Sequence, residues 1–390
     1  MGTSVLVAAL LTATGMGATI PQSARELQND TFRRYWGTDF VWKFDELPTK
    51  GGVPQFRVPY SGYIYPDTGG GTINALRKYD MAFNGRRYLA AGYEQWDTTA
   101  FQEPQRGGLF GWRTVMRTPG WHGHCNGWAA AAMRHAEPQT SVRRNGVVFS
   151  PADIKALLAE IYIYNETVNL EGLNYAINAG TFHAVLANWI GRGAHPIGME
   201  ADPGKEKWNY PIYAYSTSST RRRDGSVDVR MNMAYAKDSR SDYATGQRIR
   251  YTKYFSYNLD LNADGEIVGG QFYRNSSIID LLWLPLRPKQ GKKPGNERGN
   301  PHIDVDEVLA IWRDSVSEDV RKKWPVIDPP AEDRVSEFPG LKTLAPVQDV
   351  RDQDEDTVAA VDESDTAESE EDDASEEPAE PASEGDDDAE

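Results

Sequence analysis

The chain reads as an α+β protein in which helices precede an antiparallel sheet. Two observations lead there. Helical signals dominate residues 125–191, and strand signals dominate 196–273. Within the second stretch an Asp-Gly turn joins two alternating runs, which marks a hairpin and argues against a wound parallel sheet.

Each element has a local cause. Residues 19–110 are aromatic and rich in turn formers, as in Tyr60-Ser61-Gly62-Tyr63-Ile64-Tyr65-Pro66 and Gly69-Gly70-Gly71-Thr72. They read as irregular, apart from a short helix from Arg25 to Tyr35. Ala129-Ala130-Ala131-Ala132-Met133-Arg134 propagates helix well, and Pro138 should end it. Ser150 is a good N-cap and Pro151 a good first helical residue. Ile154, Leu157, Leu158 and Ile161 then share one face. A third helix starts near Thr181, with Phe182, Val185, Leu186, Trp189 and Ile190 inward and Gly191 closing it.

Strands are expected at Pro196 to Met199, at Pro211-Ile212-Tyr213-Ala214-Tyr215 and from Val227 to Met233. Ile249 to Leu261 turns at Asn262-Ala263-Asp264-Gly265 and returns as Ile267 to Tyr273. Asp304 to Val316 forms a last helix, and no internal repeat is visible.

The formal net charge of −16 is unevenly spread. Residues 349–390 carry 21 Asp and Glu against Arg351, a net of −20, leaving the rest at +4 with 41 basic and 37 acidic side chains. A tail with no aromatics and little to bury should be disordered. No basic stripe stands out, so nucleic-acid binding is not expected. Val5-Leu6-Val7-Ala8-Ala9-Leu10-Leu11, followed by small residues, has the look of a secretory signal and is too short to span a membrane. The expected organisation is a signal peptide at 1–18 and an N-terminal segment at 19–110 packing on or covering the core. A catalytic core at 111–335 and a disordered acidic tail at 336–390 follow. The expected location is secreted or periplasmic.

Chemistry points to Cys125, the single cysteine in 390 residues. It stands in His122-Gly123-His124-Cys125-Asn126-Gly127-Trp128, directly before the alanine run, so its sulfur lies at a helix N-terminus. Unpaired N–H groups and the helix dipole there favour a thiolate. A cysteine nucleophile needs a base, and the base needs an orienting group. Of six histidines, His122 and His124 are close neighbours of the sulfur whose side chains diverge from it. His135 lies far along the helix, and His302 lies in a polar turn. His183 and His195 remain. Glu200, Asp202 and Asn209 are candidate orienting groups, since a carboxylate or amide can hold an imidazole in one tautomer.

No cofactor is expected. His122, His124 and Cys125 are soft ligands at close spacing, but no second cluster completes a zinc site. Asp260-x-Asn262-x-Asp264-Gly265 matches the start of a calcium loop. Gln271 stands at position twelve, where a bidentate carboxylate belongs, and the surroundings read as a hairpin.

Gly123-His124-Cys125-Asn126-Gly127-Trp128-Ala129-Ala130-Ala131, with Thr181-Phe182-His183, Trp208-Asn209-Tyr210-Pro211 and Gly269-Gly270-Gln271-Phe272, resembles the transglutaminase elicitor family in the same order over roughly 55–320. The resemblance implies a papain-like or transglutaminase-like core with a Cys-His-acid site. It carries Cys125 over as nucleophile, His183 as base and Glu200 as acid, with Asp202, Asn209 and His195 as alternatives. Two departures are plain: Asn126 intervenes between cysteine and tryptophan, and His183 reads as helical where papain-type enzymes begin a strand. The implied reaction joins a protein glutamine to a lysine amine through a cysteine thioester, or deamidates it with water. Its partners are protein or peptide substrates. A papain-like cysteine peptidase and a non-enzymatic exported binding module are the alternatives.

Overall fold

Alternating apolar and polar residues between 209 and 272 build the widest part of an antiparallel sheet. The computed structural model describes residues 18–107, 113–172, 176–246, 248–324 and 328. In chain order, β1 (Ala18–Thr19) and α1 (Gln22–Trp36) precede β2 (Lys50–Gly52), α2 (Ile73–Phe83) and α3 (Ala90–Asp97). The pair β3 (Glu103–Gly107) and β4 (Arg113–Arg117) leads to α4 (Cys125–Arg134). The short pair β5 (Val142–Arg144) and β6 (Val147–Phe149) leads to α5 (Pro151–Tyr162), β7 (Thr167–Glu171) and α6 (Ala179–Leu186). Strands β8 (Ile197–Glu200), β9 (Asn209–Arg221), β10 (Val227–Lys237), β11 (Ile249–Leu261), β12 (Ile267–Phe272) and β13 (Leu281–Pro285) follow, then α7 (Val305–Ser315) and α8 (Glu318–Lys323).

The main sheet runs β1-β12-β11-β10-β9-β8-β13-β7, and β2 pairs with β9 where β8 has ended. Its pairings are antiparallel, as the Asp-Gly turn between β11 and β12 implies. Val227, Val229, Met231 and Met233 of β10 are buried at every second position. Helix α4 packs across β8, β9 and β13, whereas α6 packs on β11 and β12. That separation decides the site geometry below.

Several expectations take a definite form. Ser150 accepts from the Asp153 N–H while the Asp153 carboxylate accepts from the Ser150 N–H, a complete capping box on α5. Asp304 caps α7. The alanine helix stops at Arg134, before Pro138, because His135 is already extended. The third helix is buried on every side, not along one face, and continues as a π-helical turn over 187–192.

Within 19–110, the described residues 19–107 are more regular than their turn-rich sequence suggests. Two helices, α2 and α3, lie within them. Asp80 of α2 joins them by accepting from the Ala90 and Ala91 N–H groups at 2.9 and 3.0 Å. This cap is 10 residues away in sequence, beyond the reach of local propensity. Phe32 and Tyr35 of α1 pack edge-on against Trp189 at 5.4 and 5.2 Å, so the N-terminal segment shares the main core. The signal expected at 1–18 and the tail at 336–390 fall, but for Ala18, outside the described residues.

Candidate active site

Cys125 is the first residue of α4, and the chain reaches it through a strand-like segment. His124 N–H donates to the Ile64 carbonyl at 2.6 Å, and Asp67 N–H donates to the His122 carbonyl at 3.0 Å. Gly123 lies between them, where a Cβ would come 2.8 Å from the Ile64 carbonyl oxygen. Glycine is therefore required by backbone approach. Gly127, one turn into α4, meets α5 as closely: a Cβ there would lie 2.2 Å from the Ala159 carbonyl oxygen. Trp128 donates its indole N–H to the Tyr60 carbonyl at 3.2 Å. The segment that carries Cys125 is thus clamped from three sides.

The sulfur is nearly buried, at 6 % exposure. Its thiol donates to the Lys207 carbonyl at 3.4 Å, and the Asn209 side-chain amide donates to it at 3.8 Å. Burial raises the thiol pKa, against the N–H groups of Asn209 and Asn126 and the Asn209 amide, which lower it. Asp238, just past β10, adds to the rise. The helix N-terminus acts in the expected direction, but burial outweighs it, so the resting sulfur is a thiol and not the expected thiolate.

Glu200 faces Asn209 across the β8–β9 pairing. Lys207 Nζ bridges Glu200 Oε1 at 2.6 Å and Asp280 Oδ2 at 2.5 Å. Burial raises the Glu200 pKa, though Lys207 opposes it. Glu200 is engaged with a lysine and not with an imidazole. Asp202 is exposed in the turn before β9.

The structure does not bring His183 or His195 to the sulfur. His183 Nδ1 lies 2.8 Å from the Tyr257 hydroxyl on β11, and its ring packs on Phe44 at 5.5 Å. Strand β11 is two strands from β9, about 10 Å across the sheet. His195 Nδ1 lies 2.7 Å from the Pro196 carbonyl, and its ring faces Trp36 and Trp189. Burial lowers the pKa of both, His183 to about 4. Both rings are buried in the core with these partners, and among the described residues no hydrogen bond or ion pair joins either to Cys125 or Glu200. His122 takes a different place. It lines a cleft of about 340 Å³ with Cys125, Asn126, Asn209, Trp121, Phe101 and Tyr164. Among the described residues it is the one histidine lining that cleft. Burial lowers its pKa, Glu103 raises it and Lys205 lowers it, for a net decrease. Asn209 and Asn126, beside Cys125, also line a second cleft of about 200 Å³ with Glu166 and Glu200. Sequence spacing discounted His122 because its side chain was expected to diverge from the sulfur; its place in the cleft follows from the pairing of Gly123 with Pro66, which no local signal marks.

His124 points inward. Glu94, Glu160 and Asp67 surround it and raise its pKa against burial. The calcium-like segment forms the β11–β12 turn, with Asn262 Oδ1 accepting from the Asp264 and Glu266 N–H groups at 3.0 and 2.9 Å. Its amide oxygen closes the turn. No helix among the described residues is long and apolar enough to cross a membrane.

Helices thus pack on a main antiparallel sheet, and the lone cysteine stands at a helix N-terminus in a cleft. A family model described as transglutaminase elicitor matches residues 110–171, the segment that contains Cys125. The crystal structure of the GP42 transglutaminase from Phytophthora sojae matches with a TM-score of 0.61 at 20% identity, covering 76% of this chain and 99% of that one. At that identity the likeness concerns the fold. A search of the curated proteins gives no match. The family match is confined to that segment, and the structural match bears on the fold.

Proposed function

We propose that the protein is an exported acyltransferase that forms a thioester between Cys125 and the side chain of a protein glutamine. A lysine amine then resolves the thioester into an isopeptide bond, or water resolves it into glutamate. The observation that carries this reading is the thiol at the start of α4, facing a cleft that also holds an imidazole and an amide.

The resting thiol must lose its proton before it attacks. His122 takes that proton as sulfur bonds to the carboxamide carbon. The Cys125 backbone N–H and the Asn209 amide hold the oxyanion of the tetrahedral intermediate. The C–N bond then breaks, and ammonia leaves with the proton from His122. The acceptor amine adds to the thioester and passes a proton back through His122, and the thiol is regenerated. Glu200, through Lys207, positions the loop whose carbonyl holds the thiol. The family and fold matches agree with this class of chemistry.

The test incubates the protein with a glutamine donor peptide and a labelled primary amine. Amine incorporation or ammonia release is expected, and Cys125→Ala abolishes both. Peptide cleavage without either product would move the assignment to a cysteine peptidase. No reaction with any substrate would favour a binding module.

A further inference from the structure

Directly behind the nucleophile, three ligand atoms converge in the interior. His124 Nε2 lies 3.1 Å from Glu160 Oε2 and 3.3 Å from Glu94 Oε1. The three side chains come from the residue before α4, from α5 and from α3, and all are buried. We propose that His124, Glu94 and Glu160 bind one divalent transition-metal ion, zinc foremost, with water as a fourth ligand.

The two histidine–carboxylate spacings fit such an ion, and all three ligand atoms lie within 4.8 Å of one another. Ligands about 2.0–2.1 Å from a tetrahedral zinc lie about 3.3 Å from one another. Calcium would need six to eight oxygens at about 2.3–2.6 Å, a larger and more oxygen-rich cage. The ligand set, one imidazole and two carboxylates with a position left for water, is of the kind that holds zinc.

The surroundings orient these groups. Thr72 donates its N–H to Glu94 Oε1 at 3.0 Å and its hydroxyl to Glu160 Oε2 at 2.7 Å. Asn300 donates to Glu160 Oε1 at 3.0 Å. A separate observation concerns the other ring nitrogen. His124 Nδ1 is buried without a hydrogen-bond partner and faces Asp67 Oδ1 at 4.0 Å. Coordination through Nε2 puts the ring proton on Nδ1, aimed at that carboxylate, the usual outer partner of a metal-bound histidine.

Charge points the same way. Glu94, Glu160 and Asp67 face one imidazole, and among the described residues no lysine or arginine bonds to Glu94 or Glu160. Burying unbalanced carboxylates is costly. A divalent ion with a neutral imidazole cancels both glutamates. Asp67, which faces His124, and Gly123, which precedes it, also line the Cys125 cleft. Its role would be to hold the segment that presents Cys125, with no contact to substrate.

The experiment uses the full chain carrying Cys125→Ala, because the free thiol could itself take zinc. The protein is stripped with a chelator and titrated with zinc chloride by calorimetry, and bound zinc is counted by elemental analysis after desalting. One zinc per chain is expected, with a higher Tm. Glu94→Gln and Glu160→Gln should each weaken binding at least about 100-fold with an unchanged circular dichroism spectrum. If either fails to fold, Thr72→Val, which removes only an outer donor, should weaken it about 10-fold. Absence of stoichiometric zinc, or zinc binding indifferent to these substitutions, would overturn the proposal and leave a cluster neutralised by protons. Tighter binding of calcium than of zinc would overturn the choice of metal.

Discussion

The Asn209 amide lies 3.8 Å from the Cys125 sulfur, and the thiol donates to the Lys207 carbonyl two residues earlier. The Cys125 thiol is therefore held by the start of β9 and the residues just before it. Asn209→Ala should lower kcat about 10- to 100-fold with little change in KM, since the amide acts on the sulfur and the oxyanion. Asn209→Asp should move the thiol pKa further up. Alkylation by iodoacetamide followed against pH checks this, and an unchanged midpoint in Asn209→Asp would refute the contact.

His122 and His183 are separable by kinetics. His122→Ala should reduce kcat/KM about 10²- to 10⁴-fold while leaving thermal stability near wild type. His183→Ala should do the reverse. It strands the Tyr257 hydroxyl and costs about 1–3 kcal/mol of stability, with kcat/KM largely kept at temperatures where the protein is folded. The opposite pattern would restore His183 as the base.

Activity should rise on the acid side through the His122 titration. Its pKa lies below the ordinary imidazole value of 6.5, because burial disfavours its charge. The acid limb of kcat/KM should therefore fall below pH 6.5, and a limb centred above that value would contradict the placement of His122.

Three buried histidines also predict acid lability. Burial lowers His135 to about 3 and His183 to about 4, and lowers His195 further from its ordinary range. Each binds its proton more weakly in the folded chain than in the unfolded one. Their contribution is thus present above the unfolded pKa of about 6.5 and is lost as pH falls toward the folded values. Denaturant unfolding should show stability dropping by several kcal/mol, as an order of magnitude, between about pH 6.5 and 4. Substituting His135 and His183 with glutamine together should flatten that limb.

Gly127→Ala should be severe. The added methyl would sit 2.2 Å from the Ala159 carbonyl oxygen, a backbone atom that cannot swing away. A loss of about 3 kcal/mol or more is expected, visible as a Tm drop, and Gly37→Ser, where nothing lies within 4 Å, serves as a milder control on a left-handed glycine.

Much of the fold was legible because its causes are local. Ser150 and Asp153 lie three residues apart, and the Asp-Gly turn closes its own hairpin. Helices α2 and α3 were missed because their cap, Asp80, and their inward face depend on packing. Strands β7 and β13 were missed because they are short and β13 is buried between β8 and β7.

For the site, the residues around Cys125 singled it out as the candidate nucleophile: a lone thiol, a following alanine helix and flanking glycines act within a few positions of one another. The partners of that thiol were decided only by the tertiary structure. Lys207 and Asn209 stand 82 and 84 positions away and arrive because β9 runs beneath α4. His183 is carried instead to β11, and His122 is placed by a pairing with residues 64–67. Spacing along the chain does not encode which strand a helix covers; burial of the whole sheet face decides it, and with it which side chains lie beside the sulfur.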